Sequence, residues 1–213
     1  AMRAFGADLI EFGDDFDSAR QEAYRVADEE GLFIVPPFHL ELVRGVATYA
    51  LELFTAQPDL DTVYVPIGCG SGICGTILAR DALGLATKVV GVVSDRAQTA
   101  KLSVDAGHLI ETNSANTFAD GMAVRIPVQE ALDIYSKGAD RIIAVSDDAV
   151  ADAIRLYFTA THNVAEGAGA APLAGRRQDR DAMAGRKVGV MLCGGNIDTG
   201  WFKTVLGGQT PQV

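Results

Sequence analysis

Short apolar runs alternate along the chain with segments in which apolar residues recur at helical spacing. Several of the short runs are apolar at consecutive positions, which is typical of strands in a parallel sheet that is covered on both faces. The pattern therefore predicts an α/β fold with a mostly parallel sheet and helices on both faces. The predicted strands are 9–12, 32–35, 63–67, 89–93, 142–145 and 188–193. The predicted helices are 18–30, 40–55, 73–83, 97–106, 128–137 and 149–162.

A pair of prolines, Pro36 and Pro37, interrupts the chain after the second predicted strand. Proline interrupts helices and strands, so this pair predicts a junction between a smaller lobe at 1–37 and a larger lobe at 38–213. The first residues read as the last turn of a helix that ends at Gly6, without the capping residue that starts a helix. We therefore expect that an N-terminal segment of the small lobe is lacking from the sequence.

Composition and charge exclude several classes of partner. The chain has 213 residues, of which 48% are apolar, and a formal net charge of −10 with 18 lysines and arginines. This charge argues against nucleic acid and against an anionic membrane, and no apolar stretch reaches the ~20 residues that cross a bilayer. We expect a cytoplasmic protein with small-molecule partners. The three cysteines, Cys69, Cys74 and Cys193, show neither disulfide nor metal-site spacing, so no metal is expected.

A glycine-dense loop follows the third predicted strand and precedes a helix. Residues 68–75 read Gly-Cys-Gly-Ser-Gly-Ile-Cys-Gly. A loop of this kind presents backbone N–H groups beside a helix N-terminus, where they bind a phosphate without any charged side chain. The loop therefore predicts a phosphorylated ligand or cofactor.

Two other interpretations use the same glycines. The spacing Gly70-x-Gly72-x-x-Gly75, with Asp95 at the end of the next strand, matches the fingerprint of NAD-dependent oxidoreductases, in which the carboxylate binds a ribose. The second interpretation is a tight turn that binds no ligand. It is less favoured, because so many glycines cost conformational entropy on folding. A P-loop that hydrolyses nucleotides is excluded, because no Gly-Lys-Ser/Thr follows the loop.

A second glycine turn follows the last predicted strand. Cys193 ends that strand, and Gly194, Gly195 and Asn196 come directly after it. Ligands of open α/β sheets bind beyond the carboxyl ends of the strands, so we expect both turns to line one pocket. Cys193 is either a buried structural thiol, as many free cysteines are, or a small polar contact for the ligand.

With its two glycine turns and further motifs, the sequence resembles the serine/threonine dehydratase and serine racemase family of fold type II pyridoxal-phosphate enzymes. The resemblance runs through nearly all 213 residues. It implies a tryptophan synthase β-like fold, in which 1–37 is the remainder of the small lobe and 38–213 is the large cofactor-binding lobe. The motifs that carry it are 1–10, 65–71, 117–121, 145–148, 165–171 and 192–198.

The resemblance also implies pyridoxal 5′-phosphate as the cofactor and a set of residues around it. Residues 68–71 surround the phosphate. Cys193 lies against the pyridine nitrogen, and Gly121 and Glu166 lie beside the ring. For Glu166, a solvated carboxylate at a helix start remains an alternative. The corresponding residues are Gly68, Cys69, Gly70, Ser71, Gly121, Glu166, Cys193 and Asn196.

For the complete enzyme, the resemblance implies a homodimeric ammonia-lyase that converts a small β-hydroxy amino acid, such as threonine or serine, to a 2-oxo acid and ammonia. Racemisation and hydroxyaspartate dehydration share this scaffold. The family's Schiff-base lysine lies upstream of the matching segment, and none of the chain's own lysines has a matching context. The chain is therefore expected to lack a catalytic residue and to be inactive, unless the N-terminal segment is supplied as a separate piece. The lysines are Lys88, Lys101, Lys137, Lys187 and Lys203.

Three departures from the family pattern stand out. Residues 45–48 read Gly-Val-Ala-Thr, where the family usually has Gly-Gln-Gly-Thr, and Cys69 and Ser71 replace glycines of the family's phosphate loop. The acidic residues that bind a divalent metal in some relatives are absent after the strand at 89–93, and Asp95 alone is typical of a helix cap. The departures leave the predicted cofactor unchanged and argue against a metal.

Overall fold

The computed structural model describes residues 2–213, and the chain separates into two compact units between Pro36 and Pro37. The sequence predicts a junction at this proline pair. The assignment of the two units to a small and a large lobe stays a prediction.

The first unit contains one turn of 3-10 helix at Met2–Phe5 and helix α1 at Phe16–Glu30. Helix α1 begins where the Asp15 carboxylate accepts a hydrogen bond from the Ser18 amide, at 2.8 Å, and it ends at Gly31 in the left-handed conformation. The strands predicted at 9–12 and 32–35 are not formed. Their apolar side chains are largely exposed, and neither segment pairs with a strand within residues 2–213, so the backbone partners that define a strand are missing.

The second unit is built on a parallel sheet, as the apolar runs predict. Its four strands are β1 (Thr62–Pro66), β2 (Lys88–Ser94), β3 (Arg141–Val145) and β4 (Val188–Val190), and their order across the sheet is β3-β2-β1-β4. All three pairings are parallel. The first strand along the chain is therefore central, and its neighbour β4 is the last strand to be reached along the sequence.

Seven helices accompany the sheet, and five of them match the predicted segments to within two residues at each end. The other two helices, at 167–178 and 199–206, were not predicted. No helix within residues 2–213 combines the length and the apolar character that a membrane crossing requires. The helices are α2 (Leu40–Ala56), α3 (Ser71–Ala82), α4 (Thr99–Ala106), α5 (Gln129–Gly138), α6 (Asp147–Thr161), α7 (Gly167–Gln178) and α8 (Thr199–Leu206).

The hydrophobic core lies on both faces of the sheet. Alternate side chains of a strand point to opposite faces, so Val63 and Val65 of β1 pack with α2, α3 and α5, whereas Tyr64 packs with α6, α7 and α8. The predicted arrangement of helices on both faces is therefore confirmed. With its central strand buried on both sides, the sheet is a rigid base for the loops at its carboxyl edge.

Candidate functional site

Two turns lie side by side at the carboxyl edge of the sheet. The first turn, Gly68–Ser71, follows β1, and the second turn, Cys193–Asn196, follows β4. Because β1 and β4 are parallel neighbours, with Tyr64 opposite Val190, both turns leave the sheet at the same edge.

Strand β4 ends earlier than the sequence predicts. The Met191 amide donates one further hydrogen bond to the Tyr64 carbonyl, at 3.0 Å, and the chain then leaves the ladder. The predicted strand to residue 193 is wrong by three residues for this reason. Cys193 consequently belongs to the loop that faces the cleft.

A cavity of about 400 Å³ opens between the two turns. Ser71 and Cys193 both line it, so the shared pocket expected from the sequence is confirmed. Seven of the eight predicted cofactor contacts line this cavity, and the exception is Asn196. The lining residues are Gly45, Val46, Thr48, Tyr49, Pro66, Gly68, Cys69, Gly70, Ser71, Gly72, Gly121, Glu166, Ala168 and Cys193.

The first turn depends on the absence of side chains at two positions. A Cβ atom on Gly68 would lie 2.3 Å from the backbone oxygen of Gly121, which is far inside van der Waals contact. Gly70 has φ +102°, a conformation that L-residues rarely adopt, and its Cβ would lie 2.8 Å from that of Ala131. Glycine at 68 thus lets the segment around Gly121 close over the turn.

The first turn also presents unused hydrogen-bond donors. Helix α3 begins at Ser71, and the first N–H groups of a helix have no partner within it. The Gly70 cap adds no side-chain acceptor, and no acceptor within residues 2–213 binds the amides of Ser71 and Gly72. Among the described residues that line the cavity, none is a lysine or an arginine. An anion in this cavity would therefore be bound by backbone amides and the helix dipole.

The second turn is held in place by Glu166. The Glu166 amide donates to the Gly194 carbonyl at 3.1 Å, and the Glu166 carboxylate accepts from the Asn196 amide at 3.2 Å. A Cβ on Gly194 would lie 2.4 Å from the same carboxylate, and one on Gly169 would lie 2.4 Å from the Gly194 oxygen. Glycines therefore allow the start of α7 to pack tightly against the turn.

Glu166 lies at the start of α7 and is only partly solvated. It occupies the cap position of α7 but makes no side-chain capping bond, and it is half-buried in the cavity wall. Burial raises its pKa above the ordinary value, the Asn196 amide opposes this shift, and the nearby charge of Asp120 adds to it. Asn196 contributes through its backbone amide, which binds Glu166, and its side chain does not line the cavity.

Cys193 is exposed at the cavity surface and is not a buried structural thiol. The surrounding protein raises the pKa of the Cys193 thiol above its ordinary value, mainly through burial and then through the charge of Glu166. The thiol therefore stays neutral at neutral pH. A neutral thiol can donate a weak hydrogen bond to a ligand in the cavity.

The sequence did not single out the contribution of helix α2 to the site. Gly45, Val46 and Thr48, which stand in the motif that departs from the family pattern, line the cavity together with Tyr49. Their proximity to the first turn arises from the packing of α2 on α3. The only signal in the sequence was the resemblance of residues 45–48 to a family motif.

Several side chains that other interpretations would require do not line the cavity. Asp95, which would bind a ribose in the NAD interpretation, is not among the described residues that line the cavity. None of the five lysines lines it either, and three of them form ion pairs with Asp140, Asp105 and Asp59. The residues that the structure describes contain no cluster of three or more potential metal ligands. The cavity therefore combines a helix start with unpaired amides, one carboxylate and the two thiols of Cys69 and Cys193.

Known proteins with a similar sequence or structure include threonine ammonia-lyases and serine racemases. The chain is 32% identical over 205 residues to the L-threonine ammonia-lyase of Thermotoga maritima, which covers 96% of this chain and 51% of that enzyme. It superposes on the processed form of threonine deaminase isoform 2 from Solanum lycopersicum with a TM-score of 0.88 and 27% identity, over 95% of this chain and 60% of the other. For maize serine racemase the TM-score is 0.84, with 27% identity over 93% of this chain and 63% of the other.

These relatives are longer than this chain, which spans about half to two thirds of their length. A family model described as pyridoxal-phosphate dependent enzyme matches residues 1–194. This match confirms the predicted family and cofactor, and it contradicts the NAD interpretation of Gly70, Gly72, Gly75 and Asp95. The chain belongs to the pyridoxal-phosphate-dependent enzyme family.

Proposed function

We propose that this chain forms the cofactor-holding lobe of an ammonia-lyase that converts a small β-hydroxy amino acid, such as threonine or serine, to a 2-oxo acid and ammonia. The observation that carries the proposal is the meeting of Ser71 and Cys193 in one cavity. The threonine ammonia-lyase and threonine deaminase relatives support the substrate class.

The donors of the cavity match the chemistry of pyridoxal 5′-phosphate. Its dianionic phosphate needs several convergent donors, and the first turn supplies the free amides of Ser71 and Gly72 and the Ser71 hydroxyl. Its pyridine nitrogen needs a small donor, and the second turn supplies the neutral thiol of Cys193. In this assignment Gly68, Cys69, Gly70 and Ser71 hold the phosphate, and Gly121, Glu166 and Cys193 surround the ring.

When bound, the cofactor supplies an electron sink that acidifies the α-carbon of an amino acid. Cys193 sets the strength of that sink, because a neutral thiol donates a hydrogen bond to the pyridine nitrogen but does not stabilise a full positive charge there, as a carboxylate would. A weaker sink favours prompt loss of a β-hydroxyl over long storage of negative charge. Glu166 keeps the Cys193 turn in position through its bonds to Gly194 and Asn196.

No lysine within residues 2–213 is placed to transfer a proton at the α-carbon. Each of the chain's five lysines lies outside the cavity. A positioned amine is needed for this step, so we propose that the 213-residue polypeptide alone binds cofactor analogues without catalysing the reaction. A segment that carries the family's lysine would complete the site, and the predicted homodimer stays part of this proposal.

The test compares the 213-residue polypeptide alone with the same polypeptide mixed with the N-terminal segment of a family relative. Release of 2-oxobutanoate from threonine, or of pyruvate from serine, is followed by a coupled dehydrogenase assay. We expect no release from the polypeptide alone and measurable release from the mixture. Absence of pyridoxamine 5′-phosphate binding to the polypeptide would contradict the proposal at its first step.

Serine racemase activity is a second candidate, because maize serine racemase shares the fold with a TM-score of 0.84. The two activities give different products from L-serine in the completed enzyme. Pyruvate and ammonia indicate the lyase, whereas D-serine, resolved by chiral chromatography, indicates the racemase. We expect pyruvate to dominate.

A further inference from the structure

Helices α2 and α3 approach each other closely beside the phosphate end of the cavity. A Cβ on Gly75 of α3 would lie 3.0 Å from the backbone nitrogen and 3.1 Å from the Cα atom of Ala47 on α2. Glycine at 75 therefore lets the two backbones come together. This contact determines the distance between the two helices. The N-terminal residues of α3, from Ser71 onward, are positioned by other groups.

The side chain of Tyr49 on α2 contacts the N-terminal residues of α3. Its hydroxyl donates to the Gly72 carbonyl at 3.1 Å and lies 3.4 Å from the hydroxyl of Thr76. Thr76 donates to the same Gly72 carbonyl at 2.9 Å. Gly72 has no side chain to displace the phenol, since a Cβ there would lie 3.2 Å from the Tyr49 oxygen.

The Tyr49 hydroxyl is a stable donor at neutral pH. Burial raises its pKa above the ordinary value, an effect that the Thr76 hydroxyl partly offsets and the neighbouring Cys193 reinforces. The phenol therefore stays protonated and continues to donate to Gly72. Helix ends fray easily, so a side chain that binds the first turn has a direct effect on its order.

We propose that Tyr49 is a positioning residue for phosphate binding, which holds the first turn of α3 so that the Ser71 and Gly72 amides stay directed at the anion. The role rests on the proposed function of the cavity. It acts through the Gly72 carbonyl, and Tyr49 itself need not contact the phosphate. Tyr49 lines the cavity beside the turn that it supports.

The test uses two ligands that differ only in the phosphate. Pyridoxamine 5′-phosphate and pyridoxamine cannot form a Schiff base with a lysine, so their affinities report non-covalent binding to the 213-residue polypeptide. Isothermal titration calorimetry gives both dissociation constants for the wild type, for Tyr49→Phe and for Tyr24→Phe. The second variant is a matched control, because Tyr24 is an exposed residue of α1 that does not line the cavity.

We expect Tyr49→Phe to weaken binding of pyridoxamine 5′-phosphate about fivefold and to leave pyridoxamine binding unchanged, since one neutral hydrogen bond is lost. Tyr24→Phe should change neither constant. A merely structural role for Tyr49 would lower both affinities in parallel, so the ratio of the two constants decides. An unchanged ratio in Tyr49→Phe overturns the inference.

Thr76→Val offers a second variant if Tyr49→Phe does not fold. It removes the other hydroxyl that donates to Gly72. We expect it to weaken binding of pyridoxamine 5′-phosphate about twofold relative to binding of pyridoxamine. If the wild type discriminates between the two ligands and Thr76→Val discriminates equally well, the inference fails while the proposed function stands. If the wild type binds neither ligand, the proposed function fails first.

Discussion

The two turns of the cavity are held by different contacts. Gly68 in the first turn packs against the Gly121 carbonyl, the Tyr49 hydroxyl binds the helix start that follows, and the amides there are unpaired. The second turn is positioned by a side chain, since the Glu166 carboxylate binds the Asn196 amide and fills the space beside Gly194. A backbone contact cannot move aside, whereas a carboxylate can rotate or take up a proton. The first turn should therefore be the more sensitive to mutation and the second the more sensitive to pH.

The largest expected effect comes from Gly68→Ala. The new methyl group would meet the Gly121 oxygen at 2.3 Å, and neither backbone segment can yield without opening the cavity. We expect the free energy of unfolding in urea to fall by about 3 kcal/mol. Pyridoxamine 5′-phosphate affinity should fall about tenfold or more.

Gly45→Ala is the control for this substitution, because it lies inside α2 with no atom within 4 Å of a new Cβ. Its free energy of unfolding should rise by about 0.5–1 kcal/mol. Equal stability of Gly68→Ala and wild type would show that the first turn is not held by its backbone.

A smaller loss is expected for Gly194→Ala in the second turn. Its methyl group would displace the Glu166 carboxylate, which can rotate away at the cost of its bond to Asn196. The free energy of unfolding should fall by about 1–2 kcal/mol. In a Glu166→Ala background the same substitution should cost less, and a double-mutant cycle measures this coupling. Additive effects would contradict the contact.

The second turn should also respond to pH through Glu166. Its pKa is raised above the ordinary 4.5 in the native state, mainly by burial, so the native protein holds this proton to a higher pH than the unfolded chain does. Its contribution to the free energy of unfolding therefore falls as pH rises from 4.5 through the raised native pKa.

Urea denaturation between about pH 4 and 7 should show this slope in the wild type and not in Glu166→Gln. Asp120→Asn should reduce the pH range over which the free energy of unfolding changes, because the charge of Asp120 contributes to the raised pKa of Glu166. Identical slopes for the wild type and Glu166→Gln would show that Glu166 does not titrate differently on folding.

The smallest effect is expected for Cys193→Ser. A hydroxyl replaces a neutral thiol donor, so the affinity for pyridoxamine 5′-phosphate should stay within about threefold of the wild type. Cys193→Ala removes the donor and should weaken binding about fivefold, as measured by calorimetry. A larger loss for the serine variant than for the alanine variant would argue against a donor role at this position.

Local sequence patterns predicted most of the larger unit because its elements carry strong signals. The apolar runs of β1 and β2 and the Ser146 cap of α6 are examples. Helix α7 was missed because glycines and Pro172 obscure it, and its stability comes from burial against the sheet. The strands at 9–12 and 32–35 were predicted wrongly, because apolar composition does not reveal whether a partner strand is present.

The cavity was predictable where a turn carries its own chemistry. The first and second turns were found from their glycines, and the resemblance placed Glu166 beside them. Tyr49 was not found, because its role depends on which face of α2 meets α3, and this is decided by a contact between Ala47 and Gly75. The bond from Asn196 to Glu166 also escaped prediction, since it is made by a backbone amide.

The order of the strands has a consequence for biosynthesis. Strand β4 is synthesised last, yet it pairs with β1, with Thr62 opposite Val188. During synthesis, the edge of β1 that pairs with β4 stays unpaired while all the elements from α3 to α7 emerge, and an unpaired strand edge invites pairing with other nascent chains. The turn that contains Cys193 follows β4 directly, so the cavity between the two turns can form only after β4 has emerged and paired with β1.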